Sequence, residues 1–162
     1  DKADATPTWS RDGQWVYFKR QQQIWKAPSK GGAPVQVTKG NGSKAIESPD
    51  GKVIYFARVY SGNPAVWSVP VEGGEEREVI PPISNSFVFD VTKTGIYFIA
   101  PAAGSSASAL QFFSFATRKS SQIARIDKPV FAGLTISPDG RWALYHQLDH
   151  HGSDIMLAEN FR

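Results

Sequence analysis

The stretch Ser48-Pro49-Asp50-Gly51-Lys52-Val53-Ile54-Tyr55-Phe56 decides the fold. Asp50 offers a carboxylate to the backbone of its own turn, and Gly51 takes a positive φ without a steric cost. The residues after the turn are apolar at consecutive positions rather than alternate ones. That pattern predicts a strand buried on both faces, which a sheet covered on one side does not need.

The unit recurs. Ser10-Arg11-Asp12-Gly13 precedes Gln14-Trp15-Val16-Tyr17-Phe18, and Ser137-Pro138-Asp139-Gly140 precedes Arg141-Trp142-Ala143-Leu144-Tyr145. A worn copy, Thr92-Lys93-Thr94-Gly95, precedes Ile96-Tyr97-Phe98-Ile99. The turn glycines Gly13, Gly51, Gly95 and Gly140 are 38, 44 and 45 residues apart. A second series, Trp25, Trp67, Phe113 and Met156, is spaced by 42, 46 and 43. Two series at one period define an internal repeat.

Each repeat reads as short strands rich in β-branched and aromatic residues, fenced by turn dipeptides. The repeats run approximately 5–40, 43–81, 85–125 and 131–162, within one module spanning 1–162. The first three hold four strands each and the last holds three. Such units imply propeller blades packed face to face. A parallel β-helix needs a shorter period, and an immunoglobulin-like sandwich has no reason to repeat. The predicted fold is an all-β propeller with four blades of antiparallel four-stranded sheets, the last incomplete, forming half of a larger ring.

The turn, the apolar strand, the Ile/Val-Trp strand and the Gly-Gly turns at 31–32 and 73–74 resemble the WD-repeat-like β-propeller units of the TolB type. The resemblance covers essentially the whole chain. The stretch from Gln147 to Arg162 is similar to the closing repeat of large bacterial propeller proteins. In such proteins a winged-helix or protein-kinase domain often comes first, and these 162 residues contain neither. The resemblance implies a bacterial parent, extracytoplasmic or cytoplasmic. It also implies closure with six or more blades, on the order of 250 residues at this period. Four blades alone would leave apolar end faces in water. Three outcomes satisfy this: closure as a four-bladed ring, pairing with a second copy into an eight-bladed ring, or reliance on further blades. Pairing into a homodimer is the favoured expectation, because symmetry buries both ends at once.

Composition narrows the function. A net charge of +3 with dispersed Lys and Arg argues against a nucleic-acid partner. The absence of cysteine excludes disulfides and thiolate metal sites. No run approaches the roughly 20 apolar residues of a membrane-spanning helix. No signal peptide is visible, and without an initiator Met, Asp1 reads as the start of an excised or processed piece.

Few constellations point to chemistry. Asp12, Asp50 and Asp139, with Gly13, Gly51, Gly95 and Gly140, are read as turn residues. His146, Asp149, His150, His151 and Asp154 are the candidate metal ligands, against a solvated hairpin tip. The Gly104–Ser108 stretch lacks the Gly-x-Ser-x-Gly elbow of a nucleophilic serine. The resemblance extends to propellers that gate serine peptidases, but no hydrolase sequence is present here. Loops on one face expose Arg20, Arg58, Tyr60, Lys128, Phe131 and His150 as a candidate recognition patch. Glu47, on an inner strand, is expected either to line the channel or to pair with a lysine. The reading is a non-catalytic binding module for a protein, peptide or carbohydrate, with no cofactor. The alternatives are a propeller hydrolase or lyase with its site at the channel mouth, or a purely structural propeller.

Overall fold

A computed structural model describes residues 5–59, 62–102, 107–149 and 152–159. Among them, fifteen strands and no helix form four antiparallel sheets. Sheet I holds β1 (Ala5–Trp9), β2 (Trp15–Arg20), β3 (Gln23–Pro28) and β4 (Val35–Gln36). Sheet II holds β5 (Ser43–Glu47), β6 (Val53–Arg58), β7 (Ala65–Pro70) and β8 (Arg77–Ile80). Sheet III holds β9 (Phe89–Val91), β10 (Gly95–Pro101), β11 (Ser108–Ser114) and β12 (Ser120–Ile126). Sheet IV has three strands, β13 (Val130–Ile136), β14 (Trp142–Asp149) and β15 (Gly152–Glu159). Strand order within every sheet follows the sequence. Sheets I and II make up one unit, Asp1–Pro81, and sheets III and IV another, Pro82–Arg162.

The repeated turn is built around its serine as much as its aspartate. The Ser48 hydroxyl donates to Asp50 at 2.6 Å and accepts from the Val53 N–H at 2.9 Å. Asp50 accepts from the Lys52 N–H at 3.2 Å, and Gly51 takes φ +69°. Ser10–Asp12 and Ser137–Asp139 repeat the arrangement, with Gly13 at +70° and Gly140 at +68°. The hydroxyl thus joins the carboxylate to the first N–H of the outgoing strand, closing the hairpin within six residues.

These bonds set a pH dependence. The Ser10 hydroxyl and the Gln14 N–H hold the Asp12 carboxyl below its ordinary value. The Ser48 hydroxyl and the Lys52 N–H do the same for Asp50. A carboxyl lowered in the fold adds stability above its unfolded pKa, about 3.9. That stability is lost as pH falls through the folded value. Denaturant melts will therefore show stability falling below about pH 4, and Ser48→Ala will make the acid loss shallower. An unchanged slope in that variant would contradict the assignment.

The worn third turn departs from the expectation. Thr92 closes directly on Gly95, its N–H and its hydroxyl both reaching the Gly95 carbonyl at 2.9 and 3.0 Å. The connection is two residues shorter than Ser10–Trp15 or Ser48–Val53. Gly95 is therefore not a turn glycine with positive φ. It is the first residue of β10 and is buried, and a Cβ there would lie 2.1 Å from the Phe113 carbonyl oxygen. The second series is also offset in sheet III. Trp25 pairs with Phe18 and Trp67 with Phe56, whereas Phe98 pairs with Gln111, so Gln111 and not Phe113 holds the tryptophan position in sheet III.

Each sheet has two distinguishable faces, because paired residues point the same way. One carries the tyrosine of the second strand: Tyr17, Tyr55, Tyr97 and, in sheet IV, Leu144. The other carries the following aromatic: Phe18, Phe56, Phe98 and Tyr145. In the first unit the tyrosine face of sheet I packs on the phenylalanine face of sheet II, where Tyr17, Ile24 and Val37 meet Ala45, Ile54, Phe56 and Val69. In the second unit β13 of sheet IV lies along β9 of sheet III, burying Leu134, Ile136 and Ala143, which share the Tyr145 side of sheet IV. The stacking rule is the same in both units.

Burial on both faces of the second strand holds for β6 and β10, where Ile54, Phe56 and Ala57, and Ile96, Phe98 and Ile99, are buried. It fails for β2 and β14. Val16 and Phe18 are half-buried and Leu144 is exposed.

Candidate interaction surface

Glu47 sits at the end of β5 and is buried between sheets I and II. One oxygen accepts from the Tyr17 hydroxyl at 2.7 Å, the other from the Arg11 N–H. The sequence reading expected it to line the channel or to pair with a lysine; its partners here are Tyr17 and the Arg11 N–H. Its two lone-pair sets are spent on the neighbouring sheet, which makes burial of the carboxylate tolerable. Burial first, and then the Glu47 carboxylate, push the Tyr17 hydroxyl well above its ordinary pKa, so it stays a donor.

Arg58 is a second correction. It is 6% exposed and so is not part of an open recognition patch. Its guanidinium bonds the Glu76 carboxylate, donates to the Asn41 carbonyl at 3.0 Å and lies 4.4 Å over the Trp67 ring. Glu76 also accepts from the Lys39 N–H. Burial pushes the Glu76 carboxyl up, but Arg58 and the Lys39 N–H outweigh it and hold the carboxyl below its usual range. Together they tie the segment leaving sheet I to sheet II. Arg20, at the matching position of β2, is half-buried and lies over Phe18 and Trp25 at 4.9 and 5.8 Å.

Sequence reasoning missed Lys26. It is 4% exposed, projects from β3 over the Trp15 ring at 4.6 Å, and donates to the Val71 carbonyl at 2.9 Å and to Glu72. The available signal was a lysine facing inward beside Ile24 and Trp25. The β9–β13 seam holds a second missed residue, Asp90, which accepts from the Ile136 N–H at 2.7 Å and the Thr135 hydroxyl at 3.2 Å.

In the second unit, Lys128 is exposed between β12 and β13. Phe131 lies not in a loop but in β13, at a bulge between Val130 and Ala132, and is 59% exposed. Its ring meets His146 edge-on at 5.2 Å, and Asn85 donates to its carbonyl at 3.1 Å. Phe131 and His146 thus share the face that carries Leu144 and Leu148. Tyr60, His150 and His151 lie outside the described residues, as do the side chains of Asp149 and Asp154. Among the described residues no group of three His, Asp or Glu side chains is placed to hold a metal. The described turn residues Asp12, Gly13, Asp50, Gly51, Asp139 and Gly140 are engaged in turns. Of the polar groups singled out in the sequence, Glu47 and Arg58 serve in the seam between sheets I and II. Exposed large apolar side chains include Trp9 on β1 and Phe131, Leu144 and Leu148 on sheet IV.

No protein-family model and no curated protein matches the chain. Solved structures match its fold. A TolB-like protein from Agrobacterium tumefaciens superposes with a TM-score of 0.79 at 17% identity, over 98% of this chain and 58% of that one. TolB from Acinetobacter baumannii gives 0.78 at 16% identity, over 95% of this chain and 40% of its own. An oligogalacturonate lyase in complex with manganese gives 0.68 at 17% identity, over 98% and 48%. The fold is thus a TolB-type β-propeller, and the chain spans about 58% and 40% of the lengths of the two TolB-type proteins. Among the described residues no helix is long and apolar enough to cross a membrane.

Proposed function

We propose that this chain is a non-catalytic propeller module that pairs with a second copy into a closed ring of about eight blades. The ring presents its loop face to a protein, peptide or carbohydrate. The observation that carries the reading is the contrast between seams and ends. Within the first unit, the buried Glu47, Arg58 and Lys26 are engaged in holding segments together, with Tyr17, Glu76 and Glu72 respectively. The two most exposed large apolar side chains, Trp9 and Phe131, stand instead in the open, one on sheet I and one on sheet IV. Apolar surface of this kind marks an interaction site.

Size-exclusion chromatography with light scattering tests the ring. The expected mass is twice the 17.8 kDa of the chain at micromolar concentration. A stable monomer at that concentration overturns self-assembly.

A further inference from the structure

The sheet faces allow the contact between copies to be specified. In the first unit, sheet II docks by its phenylalanine face, which carries Glu47, Ile54, Phe56 and Trp67, onto the tyrosine face of sheet I. Glu47 is the residue of that face that meets Tyr17. By register, Trp9 occupies the Glu47 position in sheet I: Trp9 pairs with Val16 as Glu47 pairs with Ile54. Leu144 occupies the Tyr17 position in sheet IV: it pairs with Thr135 as Tyr17 pairs with Thr8.

Both positions are uncovered. Trp9 is 65% exposed and Leu144 38% exposed, whereas Tyr17 is 1% exposed. Sheet I therefore leaves a phenylalanine-type face open, and sheet IV leaves a tyrosine-type face open. These are the two halves of the contact already made inside each unit. The two open positions have also changed character together. A glutamate and a tyrosine that hydrogen-bond in the interior are replaced at the ends by a tryptophan and a leucine. An apolar residue meeting an apolar residue leaves no buried polar group unpaired. The second unit already uses an apolar residue here, since Ile136 occupies the Glu47 position of sheet IV and is buried.

We infer that the occupant of the Trp9 face is sheet IV of a second copy of this chain, with Trp9 seated on the partner's Leu144. The contact is heterologous, and a pair of copies related by a twofold axis makes it twice. This inference rests on the proposed pairing of two copies and adds which faces meet.

Charge exchange tests it, read by light scattering with circular dichroism as the check on folding. The wild-type chain is expected to be a dimer. Trp9→Glu and Leu144→Lys should each raise the dissociation constant by about tenfold or more. The double variant Trp9→Glu/Leu144→Lys places a glutamate opposite a lysine at both contacts and should recover the dimer. A wild-type monomer overturns the pairing of copies altogether, whether the chain stands alone or is covered by other blades. A wild-type dimer that persists in Leu144→Lys, or a folded double variant that stays monomeric, overturns only the Trp9–Leu144 contact.

Discussion

Arg58→Ala will destabilise the first unit by about 3–5 kcal/mol, the range for removing one partner of a buried ion pair. The cost follows from what is left behind. Glu76 stays largely enclosed, with a side-chain exposure of 11%, and loses the cation that holds its carboxyl in the charged form. The Asn41 carbonyl loses its donor and the Trp67 ring loses the guanidinium above it. Thermal or urea melts will read the change, and Arg58→Met should recover part of the loss by keeping the aliphatic contact. Arg58→Lys should fall short of wild type, since an ammonium cannot reproduce the planar fork that serves Glu76 and Asn41 at once. A loss below about 1 kcal/mol in Arg58→Ala would show that the pair behaves as a surface salt bridge.

Gly95→Ala will be as damaging, for a steric reason. The added methyl would meet a main-chain carbonyl, at 2.1 Å from the Phe113 oxygen, and the Phe112 ring at 2.6 Å. The ring can turn aside, but the carbonyl belongs to the ladder between β10 and β11. Relief requires the strands to part at their first pair, so a loss of about 3 kcal/mol or more is expected, at or beyond the upper end for overpacking. Gly13→Ala provides the contrast. Its φ of +70° carries a backbone penalty, but nothing lies within 4 Å of the added methyl. It should cost about 1–2 kcal/mol, the ordinary cost of the left-handed region. Equal losses in the two variants would contradict the assignment of Gly95 to the strand.

The strand plan was legible because its punctuation is local. Ser48, Asp50 and Gly51 carry their own hydrogen-bonding logic within a few residues, so turns and strand starts could be read without knowledge of the rest. Gly95 was misassigned because the third turn keeps a glycine while dropping two residues, and a glycine in a strand looks the same in sequence as one in a turn. The seams were harder. Arg58 reads as a solvent-facing charge at a strand end, and Glu76 lies 18 positions on, beyond the next hairpin. Glu47 stood out as an acidic residue on an inner strand, but Tyr17 lies 30 positions back in the previous repeat. Contacts of this kind depend on how sheets stack, which periodicity predicts only in outline. Phe131 looked like a loop residue because the bulge that interrupts β13 has no sequence marker beyond Gly133.

The order of strands bears on how the chain reaches its fold. Among the described residues, each strand forms its backbone ladder only with its immediate neighbours in sequence. No sheet waits for a distant segment, so the entropy of closing long loops is hardly called upon while the sheets form. Within each unit the first sheet can assemble from its own stretch and then lend its tyrosine face to the second as a template, in the manner of other repeat proteins. During synthesis, sheet I is complete before sheet II has emerged, and the Ser-Asp-Gly turns act as local nuclei that set where each new hairpin begins.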